Sequence, residues 1–399
     1  MTSRAHTARP ITPPATIGIL GGGQLGRMTA LAARSMGFGV HVLDPDAKCS
    51  ASAVADRVVA ARFDDADAAR ELARACHVVT LEIEQIATDV LDAVSAYAPT
   101  RPGAAVIGVI QDRVRQKTWL SNQGFPVGPF CVVNSADEIR AAVARFRDVF
   151  VKSSRGGFDG RGQARVVDAN GAAPAWKTVG ARTAVAEQAL DLAGEISVLV
   201  ARRPSGDTAV FPIALNHHER HALSWSVMPA PLPHALCDRA AALGRDIAVA
   251  LDVVGLLAIE MFLLPSGELL VNELAPRPHN SFHASERACV TSQFEQLVRA
   301  VCDLPLGDTG IVRPAAIVNL FGDIWHGAEP PRFELALTAP GTRLHLYGKG
   351  EPRPARKMGH LSAIGGSAME ALATARAAAE RVGATTESPP RSLRAFSAP

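Results

Sequence analysis

A lysine followed by a glycine-rich loop is the part of this sequence whose residue types point most directly to chemistry. The apolar run 149–151 is expected to form a strand that ends at Lys152, and acidic and basic side chains alternate with glycines over residues 153–163. The glycines are Gly156, Gly157, Gly160 and Gly162. Glycine lets main-chain N–H groups approach a ligand closely. The stretch predicts a loop that holds and covers a polyphosphate, and a flexible hairpin tip is the alternative.

Two acidic residues occur in otherwise apolar runs on either side of a turn signal, Pro265-Ser-Gly-Glu268. A two-residue hairpin in which Pro265 pairs with Glu268 places Glu260 opposite Glu273, on one face of the ribbon. Two carboxylates ~5 Å apart repel by roughly 3 kcal/mol at an effective dielectric constant of ~20, so a positive group is expected between them. Magnesium fits because it prefers carboxylate and phosphate oxygens. An arginine or lysine clamp is the alternative.

Further polar groups surround this predicted hairpin. Asn272 faces the other way on strict alternation, so a part for it in the site requires a bulge or a backbone contact. The proline-stiffened loop 275–283 leaves the second strand. It is placed to add Arg277, His279 and Asn280 beside the metal as cationic and neutral donors.

The elements that position this chemistry begin with a βαβ unit. A strand over 16–20, a helix over 28–36 and a strand over 40–44 are expected, and Gly21–Met28 carries the pattern G-x-G-x-x-G. Asp44 follows about twenty residues later, as in dinucleotide-binding units. The same turn also serves other ligands or close helix–strand packing, so an NAD-dependent oxidoreductase remains one hypothesis.

A second pair of acids stands at the end of another expected strand. The strand over 77–81 follows a helix over 67–75 and ends in Glu82-Ile-Glu84. Ligands in open α/β sheets bind at the carboxyl ends of the strands. The two acids are therefore candidate ligand contacts, and a solvated strand end is the alternative.

Several later patterns give weaker predictions. Residues 110–120 predict one amphipathic helix on which Arg113 and Lys117 are i,i+4 neighbours, as on a basic solvated face. A strand is expected over 210–215. The histidines in 217–221 are then expected between strands, without the helical context of the common zinc motifs.

Composition excludes several classes of protein. The 41 Lys and Arg residues nearly balance the 39 Asp and Glu residues, and aromatic residues make up only 5%, which argues against nucleic-acid and anionic-membrane partners. The six scattered cysteines lack a C-x-x-C pair and suit reduced thiols. The longest apolar run is far shorter than the ~20 residues that cross a bilayer. Residues 1–15 lack the apolar core of a secretory signal. A soluble, cytoplasmic enzyme is expected.

In combination, the motifs make the chain resemble the ATP-grasp superfamily and, within it, the N5-carboxyaminoimidazole ribonucleotide synthetases of purine biosynthesis. The resemblance runs from about residue 16 to residue 362. The motifs are Gly22-Gly-Gln-Leu-Gly-Arg-Met28, Glu82-Ile-Glu84, Gly156-Gly-Phe-Asp-Gly-Arg-Gly162, Asn272-Glu-Leu-Ala-Pro-Arg-Pro-His-Asn-Ser281 and Arg356-Lys-Met-Gly-His360.

The resemblance implies an α/β fold: an ATP-grasp core with an N-terminal Rossmann-like (preATP-grasp) α/β domain and a small C-terminal mixed domain. The implied segments are a tail over 1–15, a substrate-binding domain over 16–110, the ATP-grasp core over 111–310 with a lid loop over 152–163, a C-terminal domain over 311–390 and a tail over 391–399. It also implies a homodimer, ATP and Mg²⁺ as cofactors, and a carboxylation that joins bicarbonate to aminoimidazole ribonucleotide through carboxyphosphate.

Site residues follow from the motif matches. Those implied for the ATP phosphates and the lid are Arg113, Lys152, Gly157, Phe158, Asp159, Gly160, Arg161, Gly162, His218 and Asn272. Those implied for adenine and ribose are Glu187, Gln188, Ala189, Leu190 and Glu195. The implied metal ligands are Glu260 and Glu273. Those implied for the ribonucleotide are Gln24, Leu25, Glu82, Phe158, Asp159 and Arg161, with Lys349 and Arg356 for its phosphate. The implied catalytic residues are Asp159, Arg161, Arg277, His279 and Asn280.

Three positions depart from the family pattern. Phe158 stands where tyrosine is common, which removes a hydroxyl donor. Phe282 replaces a usual glycine and Ala284 a usual aromatic residue, which affects the shape of the loop beside the metal. The rival hypotheses are another ATP-grasp ligase, such as a formate-dependent glycinamide ribonucleotide transformylase, and a nucleotide-sensing protein without chemistry.

Overall fold

The computed structural model describes residues 9–156, 162–180, 182–326 and 329–387. Within these residues the strands form three sheets. The lid residues Gly157, Phe158, Asp159, Gly160 and Arg161 lie outside the described residues.

The N-terminal unit is a parallel sheet with the strand order β3-β2-β1-β4. Its strands are β1 (Thr16–Leu20), β2 (Gly39–Asp44), β3 (Arg57–Ala60) and β4 (Val78–Leu81). Its helices are α1 (Gln24–Ser35), α2 (Ala66–Arg74), α3 (Thr88–Ser95) and α4 (Ala104–Ile110). The βαβ prediction is confirmed, and α1 begins at once after the glycine turn rather than at residue 28.

A small antiparallel sheet carries Lys152, with the strand order β5-β8-β6-β7. Its strands are β5 (Phe130–Val133), β6 (Val149–Ser153), β7 (Gln163–Val166) and β8 (Ala184–Gln188). The accompanying helices are α5 (Arg113–Asn122), α6 (Ala136–Phe146) and α7 (Ala172–Val179). The single helix predicted over 110–120 was wrong, because Asp112 adopts an extended conformation and its side chain caps α5 by accepting from the Arg115 N–H.

The largest sheet is antiparallel, with the strand order β14-β13-β9-β11-β12-β15-β17-β16 and β10 paired to β9. Its strands are β9 (Gly194–Arg202), β10 (Thr208–Val210), β11 (Ala214–Glu219), β12 (Ala222–Met228), β13 (Gly255–Leu263), β14 (Leu269–Ala275), β15 (Ala315–Phe321), β16 (Thr342–Leu346) and β17 (Lys357–Ile364). The accompanying helices are α8 (His234–Ala250), α9 (Ser285–Ala288), α10 (Gln293–Val301), α11 (Phe333–Ala336) and α12 (Ala368–Glu380). Because β15 pairs with β12, this sheet continues across the domain boundary expected near residue 310, and the domain boundaries stay predictions.

Strand β13 lies between two apolar cores because its side chains alternate. Leu257, Ile259 and Met261 belong to the core that also contains residues of α8 and α12. Leu256 and Ala258 belong to a second core shared with α10 and the N-terminal unit. The strand that carries Glu260 is therefore held on both faces.

Two local predictions in this region were wrong. The strand predicted over 210–215 is divided into β10 and β11, with Pro212 in the break, where a residue without an N–H cannot donate to a ladder. His217 and His218 consequently lie inside β11 rather than between strands. Among the described helices, none has both the length and the apolar character needed to cross a bilayer.

Candidate active site

The two acids on β13 and β14 face each other, as the sequence predicted. Glu260 pairs with Glu273, and the next pair towards the turn is Met261 with Val271. The ladder therefore contains a bulge at Asn272, which places two residues of β14 opposite Glu260. This bulge gives Asn272 the position beside the acids that strict alternation had denied it.

The turn of this hairpin differs from its prediction. The Leu264 N–H donates to the Glu268 carbonyl, so Leu264, not Pro265, is the partner of Glu268. Gly267 has a φ of +82°, which suits the last position of a three-residue loop. The register at the turn is thus shifted by one residue, and the bulge restores the opposition of the acids.

The surroundings of the two acids differ. A guanidinium nitrogen of Arg113 lies 3.1 Å from the Glu273 carboxylate. Burial acts to raise the pKa of Glu273, but Arg113 and Lys152 outweigh it and the pKa falls below its usual value. Burial, reinforced by Glu273, raises the pKa of Glu260 to about 7. The arginine clamp is therefore present for one acid only.

His279 lies close to Glu260 but is not a counter-charge. The His279 Nε2 atom lies 3.3 Å from a Glu260 oxygen. Burial holds the pKa of His279 well below its usual value, so the imidazole is neutral. Its Nδ1 atom lies 2.8 Å from the Ser281 hydroxyl. The charges that act on an ionised Glu260 are the negative ones of Glu273 and Glu195 and the positive ones of His218 and Lys357.

The donor set fits Mg²⁺. The Asn272 Oδ1 atom is buried and has no hydrogen-bond partner among the described residues. Two carboxylates and one amide oxygen are hard oxygen ligands of the kind that magnesium takes together with phosphate. Glu260, Glu273 and Asn272 are therefore the residues that would hold the ion.

A buried cluster of charges lies near Glu273, at the end of β6. Lys152 Nζ lies 2.9 Å from a Glu187 oxygen, and Lys117 Nζ lies 3.5 Å from the same oxygen. Burial acts to raise the pKa of Glu187, but the two lysines outweigh it and lower the pKa to about 2. The interpretation of Lys117 as part of a solvated face was wrong, since Lys117 is only 1% exposed. Its helix packs on β8 and β14, a contact that helical spacing alone does not reveal.

The segment after β8 was predicted to contact adenine. The Gln188 and Ala189 N–H groups already donate to the carbonyls of Pro129 and Asp148. The Leu190 N–H donates to no residue in the described part of the chain. Of these three donors, the Leu190 N–H is the one left for a ring nitrogen.

Glu195 and His218 form an ion pair on adjacent strands. The His218 Nδ1 atom lies 3.2 Å from a Glu195 oxygen. Burial acts to lower the pKa of His218, but Glu195 outweighs it and raises the pKa to about 9. Because β9 pairs with both β13 and β11, it places this ion pair on the strands next to Glu260.

The glycine turn does not leave room for a dinucleotide. The Gly23 and Gly26 N–H groups both donate to the Glu82 carboxylate, and the Gly22 N–H donates to Asp44. Main-chain donors at this helix N-terminus would otherwise bind a pyrophosphate. A Cβ atom at Gly23 would lie 2.5 Å from a Glu82 oxygen, so glycine is needed for the close approach. This arrangement argues against the oxidoreductase hypothesis.

Two of the residues expected around the ribonucleotide, Lys349 and Gln24, are hydrogen-bonded to each other. Lys349 Nζ donates to the Gln24 side-chain oxygen at 2.7 Å and to the Lys357 carbonyl at 2.7 Å. Arg356 precedes Lys357 and donates to the Glu351 carbonyl. The side chain of Leu25 is buried in an apolar cluster, so a substrate contact by Leu25 would use its backbone.

Glu84 and Arg277 form an ion pair in this region. Arg277 makes two hydrogen bonds, at 2.6 and 3.1 Å, to the two carboxylate oxygens of Glu84. The two acids that follow β4 therefore have separate partners. Glu82 binds the glycine turn, and Glu84 orients the arginine that was predicted to be catalytic.

A second group of metal-type side chains, Glu286, His345 and His360, lies between α9 and the β16–β17 hairpin. The rings of His345 and His360 are stacked at 4.6 Å with an interplanar angle of 10°, an aromatic contact that accounts for their proximity without an ion. Arg343 and Arg287 bring positive charge to Glu286. Both observations disfavour a cation there.

Comparisons with known proteins agree with this architecture. The ribonucleotide synthetase preATP-grasp domain model matches residues 14–111, the ATP-grasp domain model matches residues 118–294, and the phosphoribosylaminoimidazole carboxylase C-terminal domain model matches residues 315–374. The chain is 40% identical to the N5-carboxyaminoimidazole ribonucleotide synthase of Bacillus subtilis strain 168 over 88% of this chain and 92% of that protein. It is 38% identical to the Brucella melitensis protein of the same name, over 89% and 97% of the two chains.

Solved structures are similar to the same extent. The ADP complex of an N5-carboxyaminoimidazole ribonucleotide synthetase has a TM-score of 0.86 at 38% identity, over 93% of this chain and 98% of that chain. The Aspergillus clavatus enzyme in complex with ADP and 5-aminoimidazole ribonucleotide has a TM-score of 0.84 at 29% identity, over 92% and 98% of the two chains. On these similarities, which extend over nearly the full length of the relatives, the chain belongs to the N5-carboxyaminoimidazole ribonucleotide synthase family.

Proposed function

We propose that this protein carboxylates 5-aminoimidazole ribonucleotide with bicarbonate at the expense of ATP, giving N5-carboxyaminoimidazole ribonucleotide, ADP and phosphate. The observation that carries the proposal is the opposition of Glu260 and Glu273 across the bulge at Asn272, beside the Lys152–Glu187 pair. This places three hard oxygen ligands next to a cation that can hold a phosphate. A Mg²⁺ ion on these ligands, together with the ammonium group of Lys152, would suit phosphoryl transfer.

The first step activates bicarbonate. An oxygen of bicarbonate attacks the γ-phosphorus of ATP, the bond to the β-phosphate oxygen breaks, and ADP leaves as carboxyphosphate forms. Arg113 and Lys152 would hold the phosphates during this transfer. Their present partners, Glu273 and Glu187, keep both cations in place before the nucleotide arrives. When bound, Mg²⁺ supplies neutralisation of the phosphate charge.

The second step transfers the carboxyl group. The exocyclic amine of the ribonucleotide attacks the carbon of carboxyphosphate, phosphate leaves with the electron pair of the C–O bond, and the amine loses a proton. Arg277 is oriented by its two bonds to Glu84, and the neutral His279 and Asn280 follow it in the same loop. These groups would bind the anionic intermediate. The chemistry relies on positioning and on exclusion of water from a short-lived intermediate.

We further propose that Lys349 binds the ribonucleotide phosphate and that the Leu190 N–H binds the adenine ring. A cytoplasmic homodimer is part of the same proposal. The six free cysteines support the cytoplasmic location, and the resemblance to the family supports the homodimer. The site roles of Gly157 to Arg161 also stay predictions.

A phosphate-release assay in which each co-substrate is omitted in turn tests the function. We expect rapid release only when ATP, Mg²⁺, bicarbonate and aminoimidazole ribonucleotide are all present. Phosphate release that is indifferent to the ribonucleotide would contradict the proposal. Turnover with formate and glycinamide ribonucleotide would instead identify the related transformylase activity.

A further inference from the structure

We propose that His283, a fully buried residue outside the predicted site, is a positioning residue that fixes the side-chain amide of Asn280 so that its NH₂ group faces the carboxyl substrate. This inference rests on the proposed function, because it gives Asn280 its role as a hydrogen-bond donor to bicarbonate or carboxyphosphate.

Four side chains form a series of hydrogen bonds, and the chemistry of the first donor fixes the direction of each bond in the series. Lys349 Nζ can only donate, so the Gln24 atom at 2.7 Å from it must be the amide oxygen. The other amide atom of Gln24 is then the nitrogen, and it donates to Asn280 at 2.6 Å. The Asn280 atom that accepts this bond must in turn be Oδ1.

The same oxygen is the atom that His283 contacts. His283 Nε2 lies 3.1 Å from Asn280 Oδ1. Because a carbonyl oxygen only accepts, His283 must carry its proton on Nε2. Asn280 Oδ1 thus accepts two hydrogen bonds from opposite partners, and the amide cannot rotate by 180° without losing both.

The fixed orientation of the amide leaves the NH₂ group of Asn280 available to the substrate. Asn280 Nδ2 donates to no residue in the described part of the chain, and Asn280 is partly exposed. It belongs to the same loop as Arg277 and His279. Its two N–H groups are therefore presented, already oriented, beside the groups proposed to bind the carboxyl anion. Pre-oriented donors contribute to catalysis because no reorganisation is needed during the reaction.

The environment of His283 supports this tautomer. The ring is stacked on His360 at 4.6 Å and on Phe294 at 5.8 Å, and it is 0% exposed. Its Nδ1 atom is buried without a hydrogen-bond partner among the described residues. An unpartnered lone pair is tolerated better in the interior than an unpartnered N–H, so the proton belongs on Nε2.

Three variants separate this role from simple packing. His283→Phe keeps a stacked ring but removes the donor, and His283→Gln restores an N–H near the position of Nε2. Phe294→Leu removes the stacking partner on one side and leaves the hydrogen bond, so it is the matched control. We expect His283→Phe to lower kcat/KM for bicarbonate by at least about tenfold with an unchanged KM for ATP. His283→Gln should recover most of that loss, and Phe294→Leu should stay within about threefold of the wild type.

A His283→Phe enzyme with wild-type kinetics would overturn the proposal. So would a loss that Phe294→Leu reproduces and His283→Gln does not restore. Nitrogen-15 NMR of histidine-labelled full-length protein, with the His283 signals assigned by their absence from His283→Gln, tests the tautomer without reference to activity. Protonation on Nε2 is expected, and protonation on Nδ1 would refute the inference even if the variants fold poorly. Failure of the proposed function would appear separately, as wild-type protein that does not require bicarbonate and ribonucleotide for phosphate release.

Discussion

Glu260 stands directly opposite Glu273 across the β13–β14 ladder, next to a bulge at Asn272, and Glu273 forms an ion pair with Arg113. Two carboxylates in this relationship repel each other and lower the stability of the fold, and a bound cation would offset that repulsion. If the pair binds Mg²⁺ as proposed, the stability of the protein should depend on pH and on Mg²⁺ in a predictable way.

The free energy of unfolding of the metal-free protein should depend on Glu260. Its pKa is about 7 in the fold against 4.5 in the unfolded chain, so the fold favours the protonated form. The contribution of this protonated carboxyl group to the free energy of unfolding is fully present below pH 4.5 and is lost as the pH rises through 7. At pH 8 without metal, Glu260→Gln should be more stable than the wild type by at least ~1 kcal/mol, and at pH 5 the difference should shrink.

Urea denaturation at the two pH values measures this effect. Glu268→Gln, in the exposed turn of the same hairpin, keeps Glu260 and is the matched control, so its stability should follow that of the wild type at both pH values. Mg²⁺ should stabilise the wild type more at pH 8 than at pH 5. A Glu260→Gln variant that is equally destabilised at both pH values would contradict the expectation.

Turnover should depend on Glu273. Glu273→Gln removes one charged ligand and leaves Arg113 without its closest partner. We expect a loss of at least about a hundredfold in Mg²⁺-dependent phosphate release, because the charge that neutralises the phosphates is no longer held. Circular dichroism should show a retained fold. Wild-type rates in this variant would remove the metal role from the hairpin.

The hairpin and the opposition of its two acids could be predicted from the sequence, because a turn signal separates two apolar runs, although the predicted pairing at the turn was wrong by one residue. The bulge was expected only as a condition for a role of Asn272, since nothing local in 269–275 requires an extra residue. The chain that joins Lys349, Gln24 and Asn280 was also beyond prediction, because its members are 325 and 256 residues apart in sequence. Local patterns place residues on elements, but they do not say which elements meet.

Lys117 illustrates the same limit, and it gives a matched pair of variants. Lys117 and Lys152 share one Glu187 oxygen, but Lys117 is almost fully buried whereas the side chain of Lys152 is 15% exposed. Lys117→Met should cost about 3 kcal/mol of unfolding free energy, because a buried acid loses a partner. Lys152→Met should cost less stability and raise the KM for ATP by about tenfold or more. Urea denaturation and initial rates over a range of ATP concentrations measure both, and a reversed pattern would assign the phosphate contact to Lys117.

Lys349 should act mainly on ribonucleotide affinity. It follows β16 in the C-terminal part of the chain, and its Nζ atom donates a hydrogen bond to the side-chain oxygen of Gln24. If it binds a phosphate remote from the reacting atoms, Lys349→Ala should raise the KM for the ribonucleotide by about tenfold with a smaller change in kcat. Initial rates over a range of ribonucleotide concentrations decide this. A fall in kcat at unchanged KM would instead show that Lys349 acts through Gln24 and Asn280 on the transfer step.

The Glu195–His218 pair should stabilise the protein at neutral pH and lose that effect in mild alkali. The pKa of His218 is about 9 in the fold and 6.5 in the unfolded chain, so the fold favours the charged imidazolium. The contribution is fully present below pH 6.5 and is lost as the pH rises through 9. Between pH 7 and pH 9.5 the wild type should therefore lose more unfolding free energy than His218→Asn, by about 1–2 kcal/mol.

The control is His234→Asn, which replaces an exposed histidine at the start of α8 and should follow the wild type. Parallel stability profiles for the wild type and His218→Asn would mean that the imidazole is neutral at pH 7 and that Glu195 is held by other groups.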